Sequence, residues 1–445
     1  MRTNNLAAIA IVVGLAITAS LLADDVASSQ ADRELEAQIS RLVQQLDDDR
    51  AAERESAETK LLELAGATAA EIDRFLELLP EENDQMPLGV RDRLTSIREQ
   101  VEDRVAKAAV INTKITLSAK QMPLAEVFAE IEKQTGNRLA DNRQGDAPDA
   151  PEMSGSVTIE LKDEPFWPAV DQILDQLGLS VYNYGGMDAL SLVSRPEYEG
   201  KRFGRATYSG PLRFEVLEIQ SQRNLRQPER KSLKVQMEVA WEPRLRPIAL
   251  LQPVEDVVAT TDTGATLSVS QPDAVMDVEV PDGTQAAEII LPFELPARDA
   301  TKLASLKGRL LALVPGRQVK FEFSDLANAA GKSQRRGGVQ LTLDDVRKNN
   351  AIWEVHMRMA LDEANNALES HRGWVFQNKS YLVGAGGEPI ENVGLETTRQ
   401  SRSEVGVAYL FDLPAGIDGL TWVYETPAAI VELPVEYEIK DIELP

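Results

Sequence analysis

The spacing of hydrophobic and polar positions changes twice along this chain. From Ala31 to Ala109 apolar residues recur at three- and four-residue steps among Ala, Glu, Leu and Arg, which predicts helices. Leu42, Leu46, Ala57, Leu61, Leu62 and Leu64 mark faces that need partners. Leu94, Ile97, Val101 and Val105 predict a third helix that supplies the missing cover. Between Ile115 and Val181 one unit is then stated twice, 42 positions apart. Ile115-Thr-Leu117 is echoed by Val157-Thr-Ile159, Pro123-Leu124 by Pro165-Phe166, Gln134 by Gln176 and Gly136 by Gly178. Each half reads strand, proline, helix, glycine, strand: the alternation is a half-buried strand, and Leu124, Val127, Phe128 and Ile131 follow at helical spacing. Proline is expected in the first helical turn and glycine at a left-handed cap, so the unit predicts a small mixed sheet with two helices.

Beyond Arg195 short alternating runs separated by Gly, Pro, Asp and Asn predict an all-β region. The runs are Arg213 to Ile219, Leu233 to Trp241, Ala287 to Leu295, Arg317 to Phe323, Gly338 to Leu343, Ile352 to Leu361, Val405 to Phe411 and Leu420 to Tyr424. A polar stretch from Asn328 to Gly337 divides this region into two immunoglobulin-like antiparallel sandwiches, 205–326 and 337–445, with a single large two-sheet domain as the rival reading. A short helix is expected between Ala364 and Trp374. The closing alternation through Ile442 places the chain end inside a sheet, so trimming ten residues is expected to destabilise the second sandwich. The expected fold class is thus α+β and multidomain: a helical hairpin or bundle over 31–109, a βαββαβ module over 113–195 and two sandwiches.

Residues 113 to 195 resemble the secretin and TonB N-terminal short domain. The likeness is carried by Ile115-x-Leu117, Pro123-Leu124-x-x-Val127-Phe128-x-x-Ile131-x-x-Gln134-Thr135-Gly136, then Val157-Thr-Ile159-x-Leu161 and Phe166 to Leu179. It implies a strand-helix-strand module set ahead of outer-membrane channels and receptors, and it implies no catalytic residues. The insert Asp141 to Gly155 departs from the pattern. The earlier stretch Arg54-Glu55-x-Ala57-Glu58-x-x-Leu61-Leu62, followed by Ile72 to Leu79, resembles a HEAT-like helical hairpin, with a plain short bundle as the equal alternative.

The net charge is −25, divided as +1 from Arg2 in 1–23, −11 over 24–112, −6 over 113–196 and −9 over 197–445. No segment is basic, so a phosphate-neutralising footprint is absent and nucleic acid is excluded as a partner. Anionic lipid surfaces are disfavoured for the same reason. One Arg2 ahead of the apolar run Leu6 to Leu22, broken by Ala23-Asp24-Asp25, predicts an export leader over 1–23, with an uncleaved anchor as the alternative. The expected location is therefore periplasmic or extracellular, with membrane contact only through that amino-terminal segment. With no cysteine, packing alone must hold the domains together.

Candidate chemistry is sparse. Glu354-x-His356 and Glu369-x-His371 are the only histidine-carboxylate pairs, and the alternation around Trp353 places His356 on a polar strand face, so a surface histidine is preferred to a zinc or manganese ligand. Ser370 beside His371 lacks the geometry of an activated nucleophile. Gly331-Lys332-Ser333 has Leu326 where a phosphate loop needs glycine and reads as a hairpin loop, while Gly384-Ala-Gly386-Gly387 reads as a turn. Asp47-Asp48-Asp49 reads as the acidic start of a helix, and Asp146, Asp149 and Glu152 form no defined calcium loop. Trp241, Trp353, Trp374 and Trp422 are expected in the core. Leu313-Val-Pro315-Gly is a faint echo of a channel motif.

No catalytic, metal or cofactor residues are assigned. The expected function is non-enzymatic binding of other envelope proteins, with edge strands such as Val157 to Leu161 offering main-chain pairing. An accessory subunit of a secretion or TonB-linked uptake system is the second reading. A metal-dependent hydrolase using His356 and His371 is the third.

Overall fold

The structure, a computed structural model, describes residues 32–66, 69–80, 86–143, 155–183, 185, 189–278, 280, 283–361, 367–368 and 373–445. The expected leader and the insert carboxylates Asp146, Asp149 and Glu152 lie outside these, as do Glu369, Ser370 and His371. The fold is mixed α+β and mostly β. It divides into two compact units, Met1–Val105 and Ala106–Pro445.

The first unit is helical: α1 (32–45), α2 (Ala51–Leu64), α3 (Ala69–Leu78) and α4 (Leu88–Ala109), whose last turns belong to the second unit. Ile39, Leu42 and Leu46 share one core with Leu61, Phe75, Leu79, Leu94, Ile97 and Val101. The third predicted helix does supply the cover that the first two need. The acidic run precedes α2, where the Asp48 carboxylate accepts the Arg50 amide at 2.9 Å.

The second unit opens with the duplicated segment: β1 (Lys114–Pro123), α5 (Leu124–Thr135), β2 (Leu139–Asp141), β3 (Ser156–Pro165), α6 (Phe166–Leu177) and β4 (Leu179–Tyr182), followed by β5 (Leu190–Ser194). The repeat extends to backbone detail. Gln121 and Asp163, 42 positions apart, both take positive φ (51° and 50°). Each is held the same way, the Gln121 amide donating to Thr158 Oγ1 and the Asp163 amide to Thr116 Oγ1, both at 3.1 Å. Gly136 and Gly178 are left-handed carboxyl caps, as the spacing predicts. Two expectations are corrected. The prolines sit one place earlier than the first turn, at the amino cap with extended ψ (141° and 151°), because each also ends a strand. The single mixed sheet is two sheets: β1 pairs with β3 antiparallel, while β5 inserts between the second strands, parallel to β2 and antiparallel to β4.

The remaining chain builds two β cores. A four-stranded sheet has the order β13-β8-β7-β6, from β6 (Thr207–Ser209), β7 (Leu212–Arg223), β8 (Lys231–Trp241) and β13 (Ala286–Phe293). A five-stranded sheet has the order β15-β16-β17-β21-β20, from β15 (Ser333–Arg336), β16 (Val339–Asn349), β17 (Ile352–Leu361), β20 (Gly394–Gln400) and β21 (Glu404–Asp412). Both share one partner, a ribbon of two long strands, β14 (Lys302–Phe323) and β22 (Thr421–Glu443), paired antiparallel along nearly their whole length. Short strands flank it: β9 (Ala249–Pro253), β10 (Val258–Thr261), β11 (Thr266–Leu267) and β12 (Val275–Val278) toward one end, β18 (Lys379–Val383) and β19 (Pro389–Glu391) toward the other.

The ribbon changes its buried face midway. Leu310, Ala312 and Val314, with Val435, Tyr437 and Ile439, join the core of the four-stranded sheet. Leu313, Val319, Phe321 and Phe323, with Trp422, Tyr424 and Ala428, join the core of the five-stranded sheet. Successive strand residues point to opposite faces, so the even positions of β14 feed one core there and the odd positions the other. The chain end lies inside a sheet, as expected. Tyr437, Ile439 and Ile442, however, pack with the strands that begin near Leu212, away from the core expected for them. Gly308 stands opposite Tyr437 in the ladder, its Cα directly against the phenol ring, which itself stacks on Phe214 with centroids 4.7 Å apart.

Candidate functional site

The recess that concentrates polar chemistry lies on the outer face of the five-stranded sheet. The central strand β17 alternates Val355, Met357 and Met359 into the core with Glu354, His356 and Arg358 away from it. A β-bulge interrupts the β16–β17 ladder between Leu343 and Asp345, and another interrupts the neighbouring β20–β21 ladder between Thr397 and Arg399. Each bulge inserts one unpaired residue, Asp344 and Thr398, and re-aims the side chains around it. Gly406 leaves the floor low, since a Cβ there would come within 2.6 Å of Thr398 Oγ1. The resulting recess of about 450 Å³ is lined by Asp344, Asp345, Arg347, His356, Arg358, Thr398, Arg399 and Gly406.

Its charges neutralise one another. Glu354 accepts from His356 Nε2 at 2.8 Å, Arg347 Nε at 2.8 Å and Asn349 Nδ2 at 2.8 Å, and these donors, His356 first, pull its carboxyl down to about 2. Arg358 bridges Asp344 at 3.2 Å and Glu404 at 3.5 Å, and Arg399 takes the other Glu404 oxygen at 2.7 Å. This arrangement can recognise a polar group by exchange of ion pairs. Among the described residues no three His, Cys, Asp or Glu stand close enough to hold a metal ion.

The other predicted positions are structural. Gly331 turns the chain into β15, its amide donating to Leu343 O at 2.7 Å, and Gly384 to Gly387 is the turn between β18 and β19. Arg336, at the end of β15, lies 5.9 Å over the Phe321 ring and donates to Lys320 O. Trp241 and Trp422 are buried, but Trp353 and Trp374 are only partly covered. The Trp374 indole donates to Ala367 O at 2.7 Å from a 3-10 turn, Gly373–Gln377, which lies at the end of the expected short helix.

Two buried polar hubs escape the sequence reading. Arg213, 1% exposed, reaches from β7 to Asp171 of α6 at 2.9 Å, to Glu215 and to Glu238 at 3.5 Å, with its guanidinium 5.9 Å from the Trp167 ring. Tyr208 donates to the same Asp171 at 2.7 Å, and burial, reinforced by that carboxylate, pushes its phenol far up. Burial also raises the Glu238 carboxyl, although Arg213 opposes it. The second hub is Glu242, fully buried, which accepts the Thr113 amide and hydroxyl at 2.9 Å each, Asn137 Nδ2 at 3.0 Å and Arg244 Nε at 2.8 Å. Together they fasten the duplicated module to the four-stranded sheet, where Ala240 and Ala286 also complete the module's core. The available signals were charges inside apolar runs: Arg213 between Leu212 and Phe214, and Asp171 after Val170 on the buried stripe of α6.

No family model matches the chain, and no curated protein matches it. Among solved structures, one described as the complete structure of manganese lipoxygenase of Gaeumannomyces graminis with a partial structure of zonadhesin of Komagataella pastoris aligns at 7% identity and a TM-score of 0.10, covering 51% of this chain and 94% of that one. A likeness of that size carries no argument about fold or function.

Proposed function

We propose that this chain is an exported, non-enzymatic protein of the bacterial cell envelope that docks other envelope proteins through its duplicated module. The observation that carries the reading is the pairing of β1 with β3 alone, which leaves each strand one edge without a partner strand among the described residues. The two hubs hold that module in one orientation on the sheet beneath it, so an incoming strand meets a preformed template and loses less freedom on binding. The likeness of 113–195 to a short domain found ahead of secretion channels and receptors agrees with such a role, and the leader pattern over 1–23 agrees with export.

Deleting 113–195 is a poor test, because it also takes Asp171 away from Arg213 and Thr113 and Asn137 away from Glu242. Photo-crosslinking side chains placed at Thr158 or Glu160 on β3 in the native envelope test the edge directly. The expected outcome is one recurrent adduct from both positions and none from Glu396 on the exposed strand β20. Absence of adducts from β3 sinks the proposal.

A further inference from the structure

The hairpin joining β7 to β8 reverses the charge of the chain locally. Between Gln220 and Lys231 stand Arg223, Arg226, Arg230 and Lys231 against one carboxylate, Glu229, in a protein of net charge −25. All these residues are exposed. None of the four cationic side chains makes an ion pair or hydrogen bond among the described residues. Their neighbour Leu225 is 87% exposed. The turn that presents it is ordered: Asn224 Oδ1 accepts the amides of Arg226 and Gln227 at 2.9 and 3.1 Å, and the Asn224 amide closes on Arg230 O at 3.0 Å.

The hairpin also projects. β6 flanks β7 only as far as Phe214, and β13 flanks β8 only as far as Leu233. Beyond Leu233 the two strands run on alone to the Arg223–Lys231 pair and the turn. At strand rise this carries the tip roughly 10 Å past the last three-stranded row, about one screening length at moderate salt. The acidic body is therefore screened from whatever the tip touches, and the whole-chain charge does not govern it.

We propose that this tip docks on an anionic phospholipid bilayer, with Leu225 entering the interface and the four cations meeting lipid phosphates. The tip is convex and carries one apolar side chain ringed by charge, a shape suited to a yielding headgroup layer, whereas a protein partner must bring a recess of matching form. This contact adds to the amino-terminal segment expected to meet the membrane and does not rest on the docking role proposed for β3.

The absence of cysteine makes the test clean. A polarity-sensitive dye on Leu225→Cys in the full chain should shift to the blue with vesicles containing phosphatidylglycerol at about 0.1 M salt, and the shift should reverse at about 1 M. Vesicles of phosphatidylcholine alone should leave it unchanged, as should moving the dye to Tyr198→Cys, which is equally exposed. Adding R223E, R226E, R230E and K231E should weaken the response by about a hundredfold or more. The same reversal at Lys114, Lys120, Lys162 and Lys201 should leave it in place. A silent dye at position 225, a shift with neutral vesicles, or a shift that survives reversal of the tip overturns the proposal. Binding to an acidic protein with no response to vesicles overturns it too.

Discussion

The Arg213 hub and the recess around Glu354 use the same chemistry, guanidinium groups on β strands against carboxylates, yet burial of the arginine gives them opposite roles. The Arg213 side chain is 2% exposed, whereas those of Arg347 and Arg358 are 56% and 37% exposed. In the hub the ions have left water, so each depends on the others to offset its desolvation. In the recess the guanidinium groups of Arg347 and Arg358 stay in water, although Glu354 itself is only 8% exposed, and a cation that loses its bridge there is rehydrated. The two carboxyls are similarly covered, Glu238 9% and Glu354 8% exposed, and differ in their partners: desolvation outweighs Arg213 at Glu238, while three hydrogen bonds lower Glu354 to about 2. Ion pairs in the hub therefore fix how two parts of the fold meet, and those in the recess can be exchanged for a ligand.

The largest break in that comparison comes from Arg213→Met. It leaves Asp171 and Glu238 buried, with Glu215 beside them, without their cation and should cost about 3–5 kcal/mol in denaturant unfolding. A loss under about 1 kcal/mol would mean that water enters the joint and that the hub resembles the recess. Glu242→Ala comes next, at about 2–3 kcal/mol, because it strands the Thr113 amide and Asn137 as buried donors. Unfolding curves of the two variants should differ from wild type in midpoint. Their slopes should match it, since the surface exposed on unfolding is little changed.

What was legible in the sequence follows from locality. The eight predicted strand runs all fall on observed strands, although Ala287 to Leu295 overshoots β13 and the runs from Gly338 and Leu420 each start one residue early, because alternation is written in neighbouring residues. The duplicated unit was legible for the same reason, down to the paired threonines. The ribbon was not. Leu310 to Val314 shows no alternation because its two faces feed different cores, and Gly308 and Pro315 look like breaks when one is seated under Tyr437 and the other faces Ile430 in the ladder. A division near Asn328 to Gly337 therefore looked natural, although β14 and β22, on either side of it, form one ladder. The hubs were hidden by distance: Arg213 lies 42 residues from Asp171, and Glu242 lies 129 from Thr113. No spacing rule links positions so far apart. The recess was half legible, since His356 was expected on a polar face, but the facing bulges that shape it depend on strand partners.

The smallest effects should carry the sharpest contrast, because their pH dependence has opposite sign in the two regions. Glu354 has a folded pKa of about 2 against an ordinary 4.5. Its stabilisation is present above pH 4.5 and drains away as pH falls toward 2. Glu238 is shifted upward, so its contribution is greatest below 4.5 and is lost as pH rises through its folded pKa. Glu354→Gln should therefore lower the melting temperature at pH 7 by an amount worth under about 1 kcal/mol, with the gap closing near pH 2. Glu238→Gln should match wild type below pH 4.5 and equal or exceed it at pH 7, because the amide keeps a hydrogen-bonding group without the buried charge. Melting curves of both variants between pH 2 and pH 8 decide the matter. Gaps of the same sign that change together with pH would show that the hub and the recess are electrostatically alike, and burial of the arginines would then not be what separates a joint from a binding surface.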